Sequence, residues 1–326
     1  MTEPRAPATF CAHGGRVAEA RALFGGDNWI DLSTGIAPWA WPTALALPGL
    51  DRLPEPAEIG ELEAAAAQAF GVADPAQVVA VPGTDLAMRL LAPLIGATRP
   101  AVLQPGYAGH RAAWPEAEPV TGVADGRSAG QDLFVLASPA NPDGRVADPA
   151  ALLSLSQRMR VVVDEAYADP APGLCPHASD RLIVLRSFGK FYGLPGLRLG
   201  FVIAGPAIAA PLRAMLGDWP VSSPAIAIGT AAYRDGPWQR AQHGRIQEAG
   251  ELLDALLIRA GLPIVGCAPL FRLIACDRAA DLFETLARHA TLTRPFTEAC
   301  DRLRIGLPRD AAVRARLSAA LEEFGR

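Results

Sequence analysis

Short runs of branched apolar residues alternate with segments of helical periodicity along the first two thirds of the chain. Each run has four to six residues between turn-forming positions, which predicts buried strands. The predicted strands cover 77–81, 101–104, 132–137, 160–164, 182–186 and 199–204. Helices are predicted over 58–70, 84–95, 107–114 and 149–157. This alternation is typical of an α/β architecture with a mostly parallel sheet.

The last third of the chain has a different pattern. Residues 224–260 are predicted to be helical and long, and beyond them short strands mix with helices over 279–288 and 310–324. This mixture indicates a smaller α+β domain, which the irregular, aromatic-rich first ~50 residues are expected to join. We therefore predict an N-terminal segment 1–45, a large domain 46–235, and a long helix with a small C-terminal domain over 236–326.

Composition narrows the classes of protein. The chain has 326 residues and a net charge of −4, which argues against a nucleic-acid partner. Prolines interrupt the longest uncharged run, 32–50, so no membrane span is predicted, and no signal peptide is recognised. The expected compartment is the cytoplasm.

Cysteine and histidine spacing argues against a metal site. The five cysteines form no Cys-x-x-Cys pair and the five histidines form no His-x-x-x-His pair, so no metal site is predicted. Histidines other than His13 are expected to be structural or exposed.

Lysine usage singles out one residue. Of the 30 basic side chains, only Lys190 is a lysine. Arginine stays protonated and cannot serve as a nucleophilic amine. A surface position is the ordinary expectation for a lysine, but any amine chemistry of this chain depends on Lys190.

Asp164 ends a predicted apolar strand, and ligands of open α/β sheets bind at such ends. Three interpretations compete: a magnesium-holding aspartate of a nucleotide hydrolase, a carboxylate paired with a cationic ring nitrogen, or an acidic strand end that faces solvent. The first requires Gly-x-x-x-x-Gly-Lys-Ser/Thr, which the chain lacks.

Three candidate residues follow successive predicted strands. Asn141 precedes Asp164 by 23 residues, and Lys190 follows it by 26. The set suits pyridoxal phosphate. A lysine amine binds the cofactor aldehyde covalently, an aspartate keeps the pyridine nitrogen protonated, and an asparagine donates a hydrogen bond to the phenolic oxygen.

The cofactor phosphate needs an anion site. Gly83, Thr84 and Asp85 lead from a strand into a helix, where backbone N–H groups can bind an anion, although an ordinary helix cap has the same pattern. Ser187 and Arg198 could add a hydroxyl and a positive charge. Tyr107 could stack on the cofactor ring or be a core tyrosine.

Together these residues resemble the class I/II aminotransferase superfamily of fold-type I pyridoxal-phosphate enzymes. The matching segments are 83–85, 141–144, 164–167, 187–190 and 196–200, with Tyr107 after the first. The resemblance implies a mostly parallel central sheet with helices on both faces, a smaller α+β domain and a homodimer. It also implies that Tyr167 shares the phenolic oxygen with Asn141, and that Arg304, in Leu-Arg-Ile-Gly-Leu-Pro, binds the substrate α-carboxylate through its guanidinium fork.

The N-terminal motifs refine the resemblance. His13-Gly14-Gly15, followed by Ile-Asp-Leu-Ser-Thr-Gly-Ile at 30–36, is similar to threonine-phosphate decarboxylases of cobalamin biosynthesis, which convert L-threonine O-3-phosphate to (R)-1-aminopropan-2-yl phosphate and carbon dioxide. The similarity implies substrate contacts from Gly35, Ile36 and Asn141, and phosphate contacts from Arg294 and His13. A histidinol-phosphate-type aminotransferase is the first alternative, and a non-catalytic binding protein on the same fold is the second.

Three positions depart from the family pattern. Ala37-Pro38 replaces the usual Asn-Pro, so a side-chain contact is lost. Leu53 replaces a tyrosine that reaches the neighbouring subunit's cofactor phosphate in many relatives, so that contact is not predicted here. Asp85 looks more like the histidinol-phosphate branch.

Overall fold

The computed structural model describes residues 8–43, 50–123 and 130–325. Within them the helices are α1 (Ala8–Ala12), α2 (Val17–Phe24), α3 (Pro56–Phe70), α4 (Thr84–Ile95), α5 (Ala108–Ala113), α6 (Pro149–Ser156), α7 (Phe188–Phe191), α8 (Pro206–Leu216), α9 (Ser223–Arg234), α10 (Gly236–Arg259), α11 (Ala279–Arg288) and α12 (Ala311–Phe324). The strands are β1 (Ile30–Asp31), β2 (Val78–Val81), β3 (Pro100–Leu103), β4 (Glu118–Val120), β5 (Leu133–Ala137), β6 (Arg160–Asp164), β7 (Leu182–Ser187), β8 (Gly200–Ile203), β9 (Ile264–Ala268), β10 (Phe271–Ala275), β11 (Thr291–Leu292), β12 (Arg294–Pro295) and β13 (Arg302–Gly306).

The chain divides into two units. The smaller unit consists of the described residues of Met1–Trp39, with Pro142–Gly144 and Gln242–Arg326. The larger unit consists of the described residues of Ala40–Asn141 and Arg145–Ala241. Of the predicted domain boundaries, residue 45 lies outside the described residues, and the boundary between 235 and 236 stays a prediction.

The larger unit is built on a seven-stranded sheet in the order β2-β8-β7-β6-β5-β3-β4. Its strands run parallel to their neighbours except at β8, which is antiparallel to both β2 and β7. The apolar runs of the sequence form these strands. Every residue of β2, β3, β5 and β8 is buried, which explains why their sequences are apolar throughout rather than alternating. The predicted α/β class with a mostly parallel sheet is confirmed.

Neighbouring side chains of β8 pack against helices on opposite faces of this sheet. Val202 belongs to a buried cluster that includes Met88 of α4. Phe201 points the other way, where its ring packs edge-on against Phe70 of α3 and Tyr233 of α9. Because side chains alternate along a strand, helices cover both faces, as the sequence resemblance implied.

The predicted helical stretch 224–260 is two helices, α9 and α10, separated at Asp235. One carboxylate oxygen of Asp235 accepts from the Trp238 N–H at 3.0 Å, and the other accepts from Trp41 Nε1 at 3.1 Å. Pro237 has no N–H with which to continue the hydrogen bonds of an incoming helix. The apolar periodicity continues across this break and therefore does not reveal it.

In the smaller unit, a four-stranded antiparallel sheet has the order β12-β13-β10-β9, and β1 pairs in parallel with β11. The expectation that the first residues are irregular is wrong for α1, α2 and β1. These elements are too short to show a period, and tertiary packing stabilises them: Phe10 and Phe24 pack on each other and on Phe283 of α11. Among the described residues, no helix is both long and apolar enough to cross a membrane.

Candidate active site

The carboxyl ends of β5, β6 and β7 meet at one edge of the central sheet, because these three neighbouring strands are parallel. Asp164 is the last residue of β6, and Ser187, half-buried, is the last of β7. Lys190 follows in the short helix α7, and Asn141, also half-buried, lies four residues beyond the end of β5. The sheet topology therefore brings these chain positions to the same edge.

Asp164 is a buried carboxylate with oriented partners. It is 5% exposed, so the interpretation as a solvent-facing acid is wrong. Its Oδ1 accepts from the Ala166 N–H at 3.1 Å, and its Oδ2 lies 3.2 Å from Nε2 of the fully buried His110. A carboxylate acceptor requires the proton of this contact to be on Nε2 of the imidazole.

Sequence reasoning missed His110 as a partner of Asp164. Its position in the first turn of α5, just after Tyr107, is the available signal in the sequence. The two rings lie 5.6 Å apart and almost perpendicular. The histidine thus connects the Tyr107 segment to the end of β6.

Lys190 lies beside Tyr167. Its Nζ is 5.4 Å from the centroid of the Tyr167 ring, which is buried three residues after Asp164. Gly189 lets the α7 turn pack closely, since a Cβ at that position would lie 2.7 Å from Cα of Pro195. The chain's single lysine is therefore set into a packed turn and is half-buried.

The N-terminus of α4 forms an anion cradle with Arg198. Gly83 precedes the helix with a φ of +93°, and Thr84 is its first residue. A Cβ at Gly83 would lie 2.6 Å from Nη2 of Arg198, so only glycine allows this guanidinium its position. Backbone N–H groups and a guanidinium together favour a phosphate.

Tyr107 is hydrogen-bonded to Asp85, the second residue of α4. Its hydroxyl donates to Asp85 Oδ1 at 3.3 Å, while Asp85 Oδ2 accepts from Arg89 Nε at 3.2 Å. Burial, followed by the negative charge of Asp85, raises the pKa of Tyr107 to about 12. The hydroxyl therefore stays protonated at neutral pH and acts as a donor.

Sequence reasoning also missed a buried ion network next to these residues. Arg186, with no exposed surface, donates from Nη1 to Glu165 Oε2 at 3.0 Å and from Nη2 to Asp169 Oδ1. These carboxylates raise the pKa of Arg186 against the opposing effect of burial. An arginine inside the apolar run 182–186 was the available signal.

In the smaller unit, two candidate arginines stand opposite each other on adjacent strands. Arg294 of β12 pairs with Arg304 of β13 in the antiparallel register, which places both side chains on the same face of the sheet. Arg304 is 5% exposed; its Nη2 donates to the Ser33 carbonyl oxygen at 2.7 Å, and its guanidinium lies over the Phe271 ring.

Backbone carbonyls hold the half-buried Arg294. Its Nη1 and Nη2 donate to the carbonyl oxygens of Phe10 and Ala12, each at 2.8 Å. Burial and the charge of Arg304 lower the pKa of Arg294 to about 10, and the guanidinium remains charged at neutral pH. Across the described residues, no carboxylate forms an ion pair with Arg294.

The remaining candidates differ in exposure. His13, just after α1, is exposed. Gly35 is buried and Ile36 half-buried, in the segment that follows Ser33. Leu53, where many relatives have tyrosine, is 59% exposed.

Comparison with known proteins defines the class. Residues 120–320 match the family Aminotransferase class I and II, and the chain belongs to this family. It is 38% identical to the threonine-phosphate decarboxylase of Pseudomonas aeruginosa, covering 96% of this chain and 97% of the relative. It is 40% identical to that of a Sinorhizobium species, covering 95% and 97%. The fold is similar to a crystal structure of histidinol-phosphate aminotransferase from Sinorhizobium meliloti in complex with pyridoxal-5'-phosphate, with a TM-score of 0.83, 21% identity, and coverage of 96% and 95%.

The predicted fold-type I architecture is confirmed, and pyridoxal phosphate is the cofactor of this class. The larger unit fits that group. The cradle at Gly83 and Arg198 suits its phosphate, the buried Asp164 suits a cationic ring nitrogen, and Lys190 offers the amine.

Proposed function

We propose that the chain is a pyridoxal-phosphate-dependent decarboxylase that converts L-threonine O-3-phosphate to (R)-1-aminopropan-2-yl phosphate and carbon dioxide. The observation that carries the proposal is the register pair of Arg294 and Arg304, two guanidiniums on one sheet face. Arg294 has only backbone carbonyls as hydrogen-bond partners among the described residues, so its positive charge is not neutralised by the protein. A substrate with both a carboxylate and a phosphate supplies two matching anions. Near full-length similarity to threonine-phosphate decarboxylases supports the same assignment.

In the larger unit, the proposal assigns the cofactor to the residues at the strand ends. Asp164 would pair with the ring nitrogen, with His110 holding the carboxylate in place. The phenolic oxygen would accept from Asn141 and Tyr167, and Tyr107 would lie against the ring. The phosphate would be bound by the following groups: the backbone of Gly83, Thr84 and Asp85, the Ser187 hydroxyl, and Arg198.

When bound, pyridoxal phosphate supplies an electron sink next to the substrate Cα. Arg304 binds the substrate carboxylate and orients the bond between it and Cα. Arg294 and His13 bind the phosphate, and Gly35, Ile36 and Asn141 complete the substrate contacts. The bond between Cα and the carboxylate breaks, carbon dioxide leaves, and Lys190 donates one proton to Cα in place of the carboxylate.

The first alternative, an aminotransferase acting on a phosphorylated amino compound, would use the same residues but break the Cα–H bond. Asp85 is the residue that favours it. The second alternative is a non-catalytic binding protein. Asp164 is buried with a histidine partner and Lys190 lies in a packed turn, and both features argue against this alternative because binding alone does not require them.

We further propose that the protein is a cytoplasmic homodimer that acts in cobalamin biosynthesis. The family resemblance supports this assignment. Size-exclusion chromatography with light scattering measures the mass of the assembly in solution. The expected value is twice the 34.2 kDa of the chain.

The deciding experiment measures carbon dioxide released from threonine phosphate by the purified protein with pyridoxal phosphate and no keto acid. We expect stoichiometric release of carbon dioxide and an amino-propanol phosphate. A parallel reaction contains histidinol phosphate and 2-oxoglutarate. Glutamate formation there, without carbon dioxide from threonine phosphate, would replace the decarboxylase with the aminotransferase.

A further inference from the structure

Backbone contacts on both sides of His13 confine it. Just before it, the Ala12 carbonyl oxygen accepts from Arg294 Nη2 at 2.8 Å. Two residues after it, the Gly15 N–H donates to Ser33 Oγ at 2.8 Å. The His13 side chain is exposed. Its position therefore depends on these two neighbouring anchors.

Ser33, the second anchor, is 1% exposed and makes hydrogen bonds through its N–H, its hydroxyl and its carbonyl oxygen. Its N–H and its hydroxyl both donate to Asp31 Oδ1, at 2.8 and 2.5 Å. Its carbonyl oxygen accepts from Arg304 Nη2 at 2.7 Å. The residue thus binds Arg304 through its backbone and the Gly15 turn through its side chain.

Gly14 shows how closely the turn approaches Ser33. A Cβ at Gly14 would lie 2.6 Å from the Ser33 carbonyl oxygen and 2.9 Å from its Oγ. Such distances require one of the two segments to shift, because the nearest atom is backbone. The turn that carries His13 is therefore packed directly on the carbonyl group that holds Arg304.

We propose that Ser33 is a positioning residue that determines selectivity for a phosphorylated substrate, by holding the His13 turn at a fixed place relative to Arg304. The inference rests on the proposed function, in which His13 contacts phosphate and Arg304 contacts carboxylate. Removing the hydroxyl releases the Gly15 N–H but leaves the backbone bond to Arg304. The loss therefore concerns recognition of the phosphate rather than of the carboxylate.

The test compares kcat/KM for threonine phosphate and L-threonine in Ser33→Ala. We expect a loss of about 5- to 10-fold with threonine phosphate, the value of one hydrogen bond, and less than about 2-fold with threonine. In a His13→Ala background the same substitution is expected to cost less than about 2-fold, because the two residues act through one contact. Ser33→Thr keeps the hydroxyl and restores most of the preference.

Two further variants and one direct measurement make the test independent of folding defects. Ser318→Ala, which removes an exposed α12 hydroxyl bonded to Glu322, is the matched control and leaves both substrates unchanged. Gly14→Ala forces the turn and the Ser33 carbonyl apart with the hydroxyl intact. Because that carbonyl also holds Arg304, this variant is expected to lower kcat/KM for both substrates. Because the Gly15 N–H donates to Ser33 Oγ, its hydrogen exchange is expected to be slow in the unmodified protein and faster in Ser33→Ala.

Equal losses with both substrates in Ser33→Ala, a full additional loss in the His13→Ala background, or unchanged Gly15 exchange would each overturn the inference. If the unmodified protein releases no carbon dioxide from threonine phosphate, the proposed function fails by itself. The exchange measurement then still decides whether Ser33 holds the turn. If it releases carbon dioxide but Ser33→Ala keeps its substrate preference, only the inference fails.

Discussion

Arg186 in the larger unit and Arg294 in the smaller unit are both strand arginines, but their partners differ. Arg186 is fully buried and donates to two carboxylates, Glu165 and Asp169. Arg294 is half-buried and donates to two backbone carbonyl oxygens. The pKa of Arg186 is raised by its acidic partners, whereas that of Arg294 is lowered to about 10 by burial and by Arg304.

The difference separates a structural arginine from one that can bind a ligand. Carboxylates neutralise the charge of Arg186, so the network around it holds the segment between Asp164 and Lys190 together. Carbonyl dipoles orient Arg294 without neutralising it, and the charge of Arg304 is left to repel it, as the proposed binding of an anion requires. Residue type alone does not distinguish the two.

The largest expected effect is that of Lys190→Ala in the larger unit, which should lower turnover by at least about 10³-fold because the amine is lost. Lys190→Arg is the matched control: it keeps a positive charge but should be equally inactive. Borohydride treatment of the unmodified protein should fix the cofactor to the peptide that contains Lys190. A label on another peptide would contradict the assignment.

Arg186→Met should destabilise the fold by about 3–5 kcal/mol, because Glu165 and Asp169 are left buried and unpaired. Arg294→Met should cost much less, since it leaves no buried carboxylate unpaired. Urea unfolding of both variants measures the difference. Similar losses of stability would show that the two arginines contribute alike to the fold.

Asp164→Asn should retain the fold and most cofactor binding, yet lower turnover by about 10²–10³-fold, or about 3–4 kcal/mol of barrier. The neutral amide cannot pair with a cationic ring nitrogen, although it can still contact His110. Steady-state rates and cofactor absorbance measure the two properties separately. Near-normal turnover would show that Asp164 has another role.

Arg294→Ala should raise KM for threonine phosphate by about 10- to 100-fold and narrow its advantage over L-threonine, because an unmatched phosphate is costly to bind. His13→Ala should act in the same direction more weakly. L-Threonine itself should be a poor substrate. If the unmodified protein uses both substrates equally, Arg294 is not a phosphate ligand.

The smallest effect concerns alkaline stability. The pKa of Tyr107 rises from 10.0 to about 12 on folding, so the protein binds this proton more tightly when folded. The associated stability is complete below pH 10 and is lost as pH rises towards 12. Tyr107→Phe should therefore lose less stability over that interval than the unmodified protein. Thermal melting at several pH values tests this, and parallel losses in both proteins would contradict it.

Six of the seven strands of the larger sheet, all but β4, and the candidate cofactor residues could be predicted from local sequence. Apolar runs mark β5, β6 and β7, and parallel strands place the residues after them at one edge of the sheet. Asp164 ends its strand, and Asn141 and Lys190 come within four residues of the ends of theirs, so all three lie at these strand ends. The scarcity of lysine singled out Lys190 as the candidate amine without any structure.

The electrostatic setting of each residue was decided by the tertiary structure. His110 meets Asp164 across 54 residues, and Arg294 binds the carbonyl groups around α1 across 282 and 284. Arg186 and Arg294 look alike in sequence, and only folding gives one two carboxylates and the other none among the described residues. The physical reason is range: periodicity and turn chemistry act over a few neighbouring residues, whereas the neutralisation of a buried charge depends on whichever distant group packs against it.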